Sequence, residues 1–481
     1  MAEATMTPCT GCQRLQAQLE QQRALLEEYR GQLELLQAAV ARLEEQLAAA
    51  RKNSSTSSKP PSSDIVKPPP PPPPPGHDKR KCGGQPGHPK HERALFPDDQ
   101  IDHFFDHPLH GCPCCGGQLR LNGGLTLVVQ QIELVPATVT VEQHTCPEYW
   151  CIHCERSYKA ALPKHIVVGG LVGPRLTTLI AYLKGFCHAS FSTIRKFLRD
   201  VVQVTISRGQ LRKIIGKVCS ALDDPYQELL ETLPGEGVLN VDETGHKDNG
   251  KRMWTWCFRA SLYTLFKIDP HRSGDVLIEV LGKEFDGVLG CDCFSAYRRY
   301  MREFDVTLQF CLAHLIRDVK FLMTLPGKKE QAYGTRLRDA LRTLFRVIHQ
   351  REQMPKEEFQ TRLEAARDDV LRAGQQDVPA SQQAQAMAKR LQKHGKSYFT
   401  FVTTPGVEPT NNLAEQAIRF VVIDRHITQG TRSEGGQRWC ERIWTVIATC
   451  TQQGRSVFDY LYAAVKAYFG EGSVPSLLPE G

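Results

Sequence analysis

Gly237-Val238-Leu239-Asn240-Val241-Asp242-Glu243-Thr244 is a short apolar run that opens on glycine and closes on an acid. Such a run reads as a buried strand delivering a carboxylate to the rim of a sheet. The pattern returns in Asp286-Gly287-Val288-Leu289-Gly290-Cys291-Asp292. Much later, Asn411-Asn412-Leu413-Ala414-Glu415-Gln416-Ala417-Ile418-Arg419 sets Glu415 in a helix-like stretch, with Asn411 and Asn412 as its expected caps. Two strand-end aspartates and one helical glutamate, brought together, make an oxygen-only donor set, which suits Mg²⁺ or Mn²⁺ rather than zinc. Glu243 would point to the opposite face of a continuing strand and is left out of that set.

The surroundings supply a sheet. Arg252–Arg259 and Leu262–Ile268 are aromatic and β-branched, with a hairpin-like break at Ala260-Ser261. Ser273 to Leu281 reads as a short helix capped by Ser273. The strand ending at Asp292 follows, then Val306–Cys311, which runs into a helix carrying His314, Arg317 and Lys320. Three antiparallel strands followed by parallel ones is the order of a ribonuclease-H-like α/β core, here placed over residues 235–325. Residues 326–405, rich in Gln, Arg, Lys and Ala, read as a helical insertion. Residues 406–481 complete the core and add an amphipathic helical close from Trp439 to Phe469.

Upstream the texture is modular. Over residues 1–51, Leu19, Leu26, Leu33, Val40 and Leu47 fall seven apart, Tyr29, Leu36 and Leu43 fill the alternate positions, and Gln22 is a polar exception. This is a coiled-coil seam, pointing to homo-oligomers. Residues 52–96 read as a linker: a serine-rich tract, an unbroken proline run from Pro68 to Pro75, and a glycine-rich basic loop around Arg80-Lys81 able to meet DNA phosphate. In the span 97–165, Cys112/Cys115 and Cys151/Cys154 form two CxxC knuckles, separated by strand-like segments such as Thr138–Val141. Four thiolates at that spacing predict a structural Zn²⁺ in a zinc-ribbon-like module, with Cys114, Cys146 and His153 as spare donors. Residues 166–234 read as helices. Leu176, Leu179, Ile180 and Leu183 share one face, and the stretches from Phe191 and from Ser207 outline a helix-turn-helix, with Arg208, Arg212 and Lys213 as candidate DNA contacts. A purely structural helical bundle fits the same pattern.

The 481 residues carry a net charge of +7 and 41% hydrophobic residues, enough for more than one packed domain. No apolar run is long enough to span a bilayer and the N-terminus lacks a signal peptide, so a cytoplasmic protein without a membrane partner is expected. The 17 cysteines, several in tight pairs, fit metal ligation better than disulfides.

These pieces together resemble the transposases of the bacterial insertion sequence 66 family. The resemblance rests on the leucine heptads, the Asn53-to-Asp64 tract, Gly83-Gly84-Gln85-Pro86-Gly87-His88, the paired cysteines, Asp242-Glu243-Thr244, Cys311-Leu312-Ala313-His314 and Pro409–Arg419. It implies an enzyme that cleaves transposon-end DNA by phosphodiester hydrolysis and joins the freed 3′-OH to target DNA. It also implies that Asp242, Asp292 and Glu415, spaced by 50 and then 123 residues, are the metal ligands. Two Mg²⁺ ions (or Mn²⁺) would serve, with Asp242 bridging. His314 and Arg317, three apart on one helical face, and Arg419, one turn past Glu415, are candidate phosphate contacts. The chain departs from the family at Cys293-Phe294, where Gly-Tyr is usual, and at Cys311-Leu312, where Cys-Trp is common. Accessory proteins of the same element are possible partners. The rival reading is a non-catalytic, zinc-containing DNA-binding regulator, which leaves the acid-tipped strands unexplained; a ribonuclease or resolvase on the same fold would cut without joining.

Overall fold

The computed structural model describes residues 10–52, 95–101, 103–105, 114–115, 118, 128, 130, 139–153, 156–159 and 172–479. Two compact units divide the chain: residues 1–68, 144–199 and 204–481 form one, and residues 69–143 with 200–203 the other. Most of the predicted linker, with its proline run and basic loop, lies outside the described residues, as do Cys112 and Cys154. In the smaller unit a single 3-10 turn spans Asp98–Gln100. There the Gln130 side chain accepts from the Phe96 amide at 2.7 Å and donates to the Phe96 carbonyl at 3.0 Å. The expected strand at Thr138–Val141 is corrected: residues 139–141 are irregular. Their β-branched side chains favour a strand only where a neighbour takes the backbone groups, and none does so among the described residues.

In the larger unit, helix α1 (Thr10–Ala50) is uninterrupted. All the heptad residues named above are solvent-exposed, so the helix does not bury its apolar stripe against the other described residues. Strands β1 (Glu148–Cys151) and β2 (Arg156–Lys159) pair antiparallel. Cys151 therefore ends one arm of a hairpin.

Helices α2 (Pro174–Gly185), α3 (Phe191–Asp200), α4 (Arg208–Ala221) and α5 (Asp223–Thr232) follow. Ser207 caps α4 as expected, accepting from the Gln210 amide at 3.1 Å. The helix-turn-helix outline is corrected in two ways. Residues 201–207 make the connection longer than the three- or four-residue turn of that motif. The helices are also part of a larger bundle, because α2 packs on α4 and on the C-terminal helix α15 described below. The buried face of α2 is not the leucine face: Thr177, Thr178, Ile180, Ala181 and Gly185 are buried, and Leu176, Leu179 and Leu183 only partly. Small residues win because α2 sits close against its neighbours; a Cβ on Gly185 would lie 2.3 Å from Ile443 Cγ1.

The core sheet comprises β3 (Val238–Asp248), β4 (Lys251–Arg259), β5 (Thr264–Asp269), β6 (Val288–Cys291) and β7 (Thr307–Phe310). Helix α6 (Gly274–Leu281) lies between β5 and β6, and α7 (Ser295–Phe304) between β6 and β7. The spatial order is β5-β4-β3-β6-β7, with β3, β4 and β5 antiparallel and β6 and β7 running parallel to β3. Ser273 is the N-cap residue of α6, but its hydroxyl donates to Asp275 instead of accepting from the helix.

Helix α8 (Leu312–Leu322) follows β7, and α9 (Lys328–Ile348), α10 (Lys356–Gln375), α11 (Gln382–Tyr398) and the single turn α12 (Thr400–Thr403) form the insertion. It covers one edge of the sheet: Thr400 Oγ1 donates to the Leu308 carbonyl at 2.6 Å. Helices α13 (Asn412–Thr428), α14 (Glu434–Gln452) and α15 (Val457–Lys466) close the chain. Helix α14 covers the other edge. The outward amides of β5 donate to its side chains, Thr264 to Thr449 (3.1 Å), Phe266 to Thr445 (3.1 Å) and Ile268 to Glu441 (2.7 Å). Both edges, which would otherwise template pairing with another chain, are thus occupied.

The α13–α14 connection runs beside the far end of β3, where the Thr431 amide donates to the Lys247 carbonyl at 2.9 Å. Gly430 permits this with φ +87°, and an added Cβ would stand 2.3 Å from that carbonyl. Gly430→Ala should therefore cost about 2–4 kcal/mol and lower the melting midpoint by about 5–10 °C, measurable by calorimetry; an unchanged midpoint would refute the close approach.

Candidate active site

Asp242 is not at a strand end. Strand β3 continues past it to Asp248, paired with β4 throughout, while its pairing with β6 stops at Asn240↔Gly290. Asp242 therefore sits just beyond the point where the parallel half of the sheet ends, which is a rim on that side only. Asp292 follows the last residue of β6, and Glu415 stands in the first turn of α13.

Hydrogen bonds tie these three places together. Asn411 was expected to cap α13, and instead its Nδ2 donates to the Val241 carbonyl at 2.8 Å, next to Asp242. The Cys311 amide donates to the Cys291 carbonyl at 2.8 Å, next to Asp292, and the Leu312 amide to the Pro409 carbonyl at 2.9 Å. The start of α13 is so fastened to β3, and the start of α8 to β6 and to the segment before α13. The Asn411 Oδ1 is buried without a partner among the described residues.

All three carboxylates are half-buried. Desolvation, and then the charges of Glu243, Asp292 and Glu415, push the Asp242 carboxyl well above the usual carboxylate range; the Glu243 amide, donating to Asp242 Oδ1 at 2.9 Å, opposes this. Asp292 is pushed up to about 6 by desolvation and by Glu243, against the Phe294 amide (2.8 Å to Oδ1) and Arg272. Arg317 Nη2 lies 3.2 Å from Glu415 Oε2, and His314 Nδ1 3.6 Å from Oε1. Burial and then Arg317 hold the His314 imidazole below its ordinary pKa. The two residues read from sequence as phosphate contacts thus both lie on the third acid.

Glu243 faces the other way, as the period of the strand requires. Its side chain is 1% exposed, accepts from Arg272 Nε at 2.8 Å, and takes the Tyr297 hydroxyl. Arg272 stacks on Phe294, 3.9 Å from the ring centroid. Sequence reading missed Asn411 as a tether and the Arg272–Glu243–Tyr297 network altogether. The CxxH pattern was the one signal for Cys311, which lies with His314 and Glu415. Arg208, Arg212, Lys213 and Arg419 are all exposed; the Arg208 guanidinium also donates to Ser192.

Asp242, pushed up by desolvation and then by acids that include Asp292 and Glu415, and Asp292 beside it offer oxygen donors that fit a hard divalent cation, while Cys311 and His314 stand next to Glu415. The sign of the pH effect follows. Both aspartates bind protons more tightly folded than unfolded, so metal-free stability falls as pH rises above about 4, the Asp292 contribution through about 6. Mg²⁺ should raise the melting midpoint by a few degrees at pH 7.5 and much less at pH 5, and Asp292→Asn should blunt the difference. An equal Mg²⁺ response at both pH values in thermal melts would contradict this.

Comparison with known proteins agrees with the layout. The family described as "Transposase IS66 family" matches residues 169–438, and "zinc-finger binding domain of transposase IS66" matches 110–155, a span that includes all four knuckle cysteines. Residues 10–94 match "Family of unknown function (DUF6444)". Among curated proteins, the uncharacterised protein y4hP of Sinorhizobium fredii is 24% identical over 394 residues, covering 74% of this chain and 70% of that protein. The uncharacterised protein y4jD of the same organism is 22% identical over 376 residues, covering 72% and 70%. No described helix is long and apolar enough to cross a membrane. With the family's model matching more than half of its length and the zinc-finger match before it, the chain belongs to the transposase IS66 family.

Proposed function

We propose that this chain is a DNA transposase with a ribonuclease-H-like core, and that Asp242, Asp292 and Glu415 hold two divalent cations, Mg²⁺ or Mn²⁺. The observation that carries the reading is the fastening of three acid-bearing elements to one another: Asn411, at the start of the Glu415 helix, bonds the Val241 carbonyl beside Asp242, and the Cys311 amide bonds the Cys291 carbonyl beside Asp292. The strand order of the sheet supports the same fold. When bound, such cations supply an activated water and stabilise the leaving oxygen of phosphodiester hydrolysis.

The chain's own groups do the rest. Asn411 and the Cys311 amide keep the acids in register. Arg317 and His314 orient the Glu415 carboxylate and face the phosphate being cut. Arg419, with Arg208, Arg212 and Lys213, offers exposed cations to the DNA backbone. Cys112, Cys115, Cys151 and Cys154 are proposed as ligands of a structural Zn²⁺ on their spacing in the sequence. Helix α1 is proposed to join copies of the chain.

The test uses the full chain with labelled DNA from the ends of its own element and a plasmid target. Mg²⁺ should give nicks at the ends with free 3′-OH groups and then joined products; EDTA should give neither. Binding without nicking in Mg²⁺ would favour the regulator, and nicking without joining a simple nuclease.

A further inference from the structure

A cavity of about 700 Å³ opens beside, not within, the carboxylate cluster. Arg272, Arg298, Arg299, Arg302, Lys393 and His394 line it, against a single acid, Asp305. Two of these cations are already compensated, Arg272 by Glu243 and Arg299 by Asp275 and Glu303. Arg298, Arg302 and Lys393 have no ion pair among the described residues. The Arg298 Nε is buried without a hydrogen-bond partner. His394 is 7% exposed, and its described contact is a ring contact with Phe310, not a hydrogen bond. A buried donor without an acceptor, as at Arg298 Nε, carries a desolvation penalty that an anion entering the cavity would remove. The first turns of α6, at Gly274, and α7, at Ser295 and Ala296, also border the space, and free amides at helix starts favour anions.

We propose that this cavity binds the phosphates of a DNA strand that continues from the carboxylate cluster. The proposal rests on the transposase reading only in naming DNA as the source of phosphate. Continuity is on the chain: Ser295 of the wall is three residues past Asp292, and Arg272 both borders the cavity and lies close enough to Asp292 to stabilise its charge. More than one unpaired cation in one open cavity suits successive phosphates of a strand. Helix α11 of the insertion supplies Lys393 and His394, so the insertion would form one bank of the strand's path.

The test is fluorescence anisotropy of labelled duplex and single-stranded DNA with the full chain in EDTA, which separates binding from cleavage. The variant is Arg302→Gln with Lys393→Gln, both exposed and safe for folding; Arg298→Gln is a second, partly buried variant, with melting as its control. The double variant should bind DNA about tenfold more weakly, and the slope of log K against log salt should fall by about 2. In parallel, inorganic pyrophosphate and ATP are tested for stabilisation of the parent chain. Unchanged DNA affinity and slope, with pyrophosphate or ATP stabilising the parent but not the variants, would overturn the strand assignment in favour of a small phosphate compound. No change in either would overturn the site. Since no cleavage is scored, a failed carboxylate mechanism leaves these readings intact.

Discussion

Asp242→Asn should lower strand cleavage by about 10³-fold or more while leaving end binding within about twofold, scored by nicking and by anisotropy on the same DNA. The argument is local. Asn keeps the shape of the side chain and can still accept from the Glu243 amide through its own oxygen. The substitution sits mid-strand, where β4 pairing on both sides fixes the backbone, so nothing is asked of the fold. It removes one of the mutually repelling charges, and the metal-free variant should melt no lower than the parent at pH 7.5. Loss of cleavage with an undiminished midpoint therefore distinguishes a missing ligand from a damaged core. Near-parental cleavage would remove Asp242 from the site and, with it, the case for a metal-dependent reaction at this rim.

What the sequence disclosed and hid follows from range. The two acid-tipped runs were legible because a buried strand is an uninterrupted apolar segment. The extent of β3 was not, because its second half, Gly245 to Asp248, is polar and pairs with β4 beyond the parallel sheet. Period-two reading turned Glu243 away from Asp242, as the structure does, yet nothing local announces that Arg272 and Tyr297 receive it. Asn411 shows the limit most clearly. A helix-start asparagine ordinarily caps its own helix; here a strand 170 residues earlier offers a better-placed carbonyl. In α2 the leucines misled because close helix packing selects for small side chains, a tertiary preference with no periodic signature.

Leu26→Glu combined with Leu33→Glu should convert a self-associated protein to a monomer, raising the dissociation constant by about a thousandfold, some 4 kcal/mol, as read by sedimentation velocity. Helix α1 spans 41 residues, about 60 Å, and a lone helix in water has little stability of its own beyond the packing of its apolar face. Leu26 is 67% exposed and Leu33 59%, and Leu19, Leu36 and Leu43 are exposed as well. The other described residues leave the stripe open. A second copy presents the same heptads, and burying each leucine contributes about 1.5–3 kcal/mol, whereas paired glutamates on the seam would repel. Gln22 at an alternate position is the polar mark that sets register in such seams. Because the substitutions lie outside the sheet, the melting of the core should not move. A parent chain that sediments as a monomer at tens of micromolar, roughly the level at which even a weak coil of this length would pair, would mean that α1 meets a different protein.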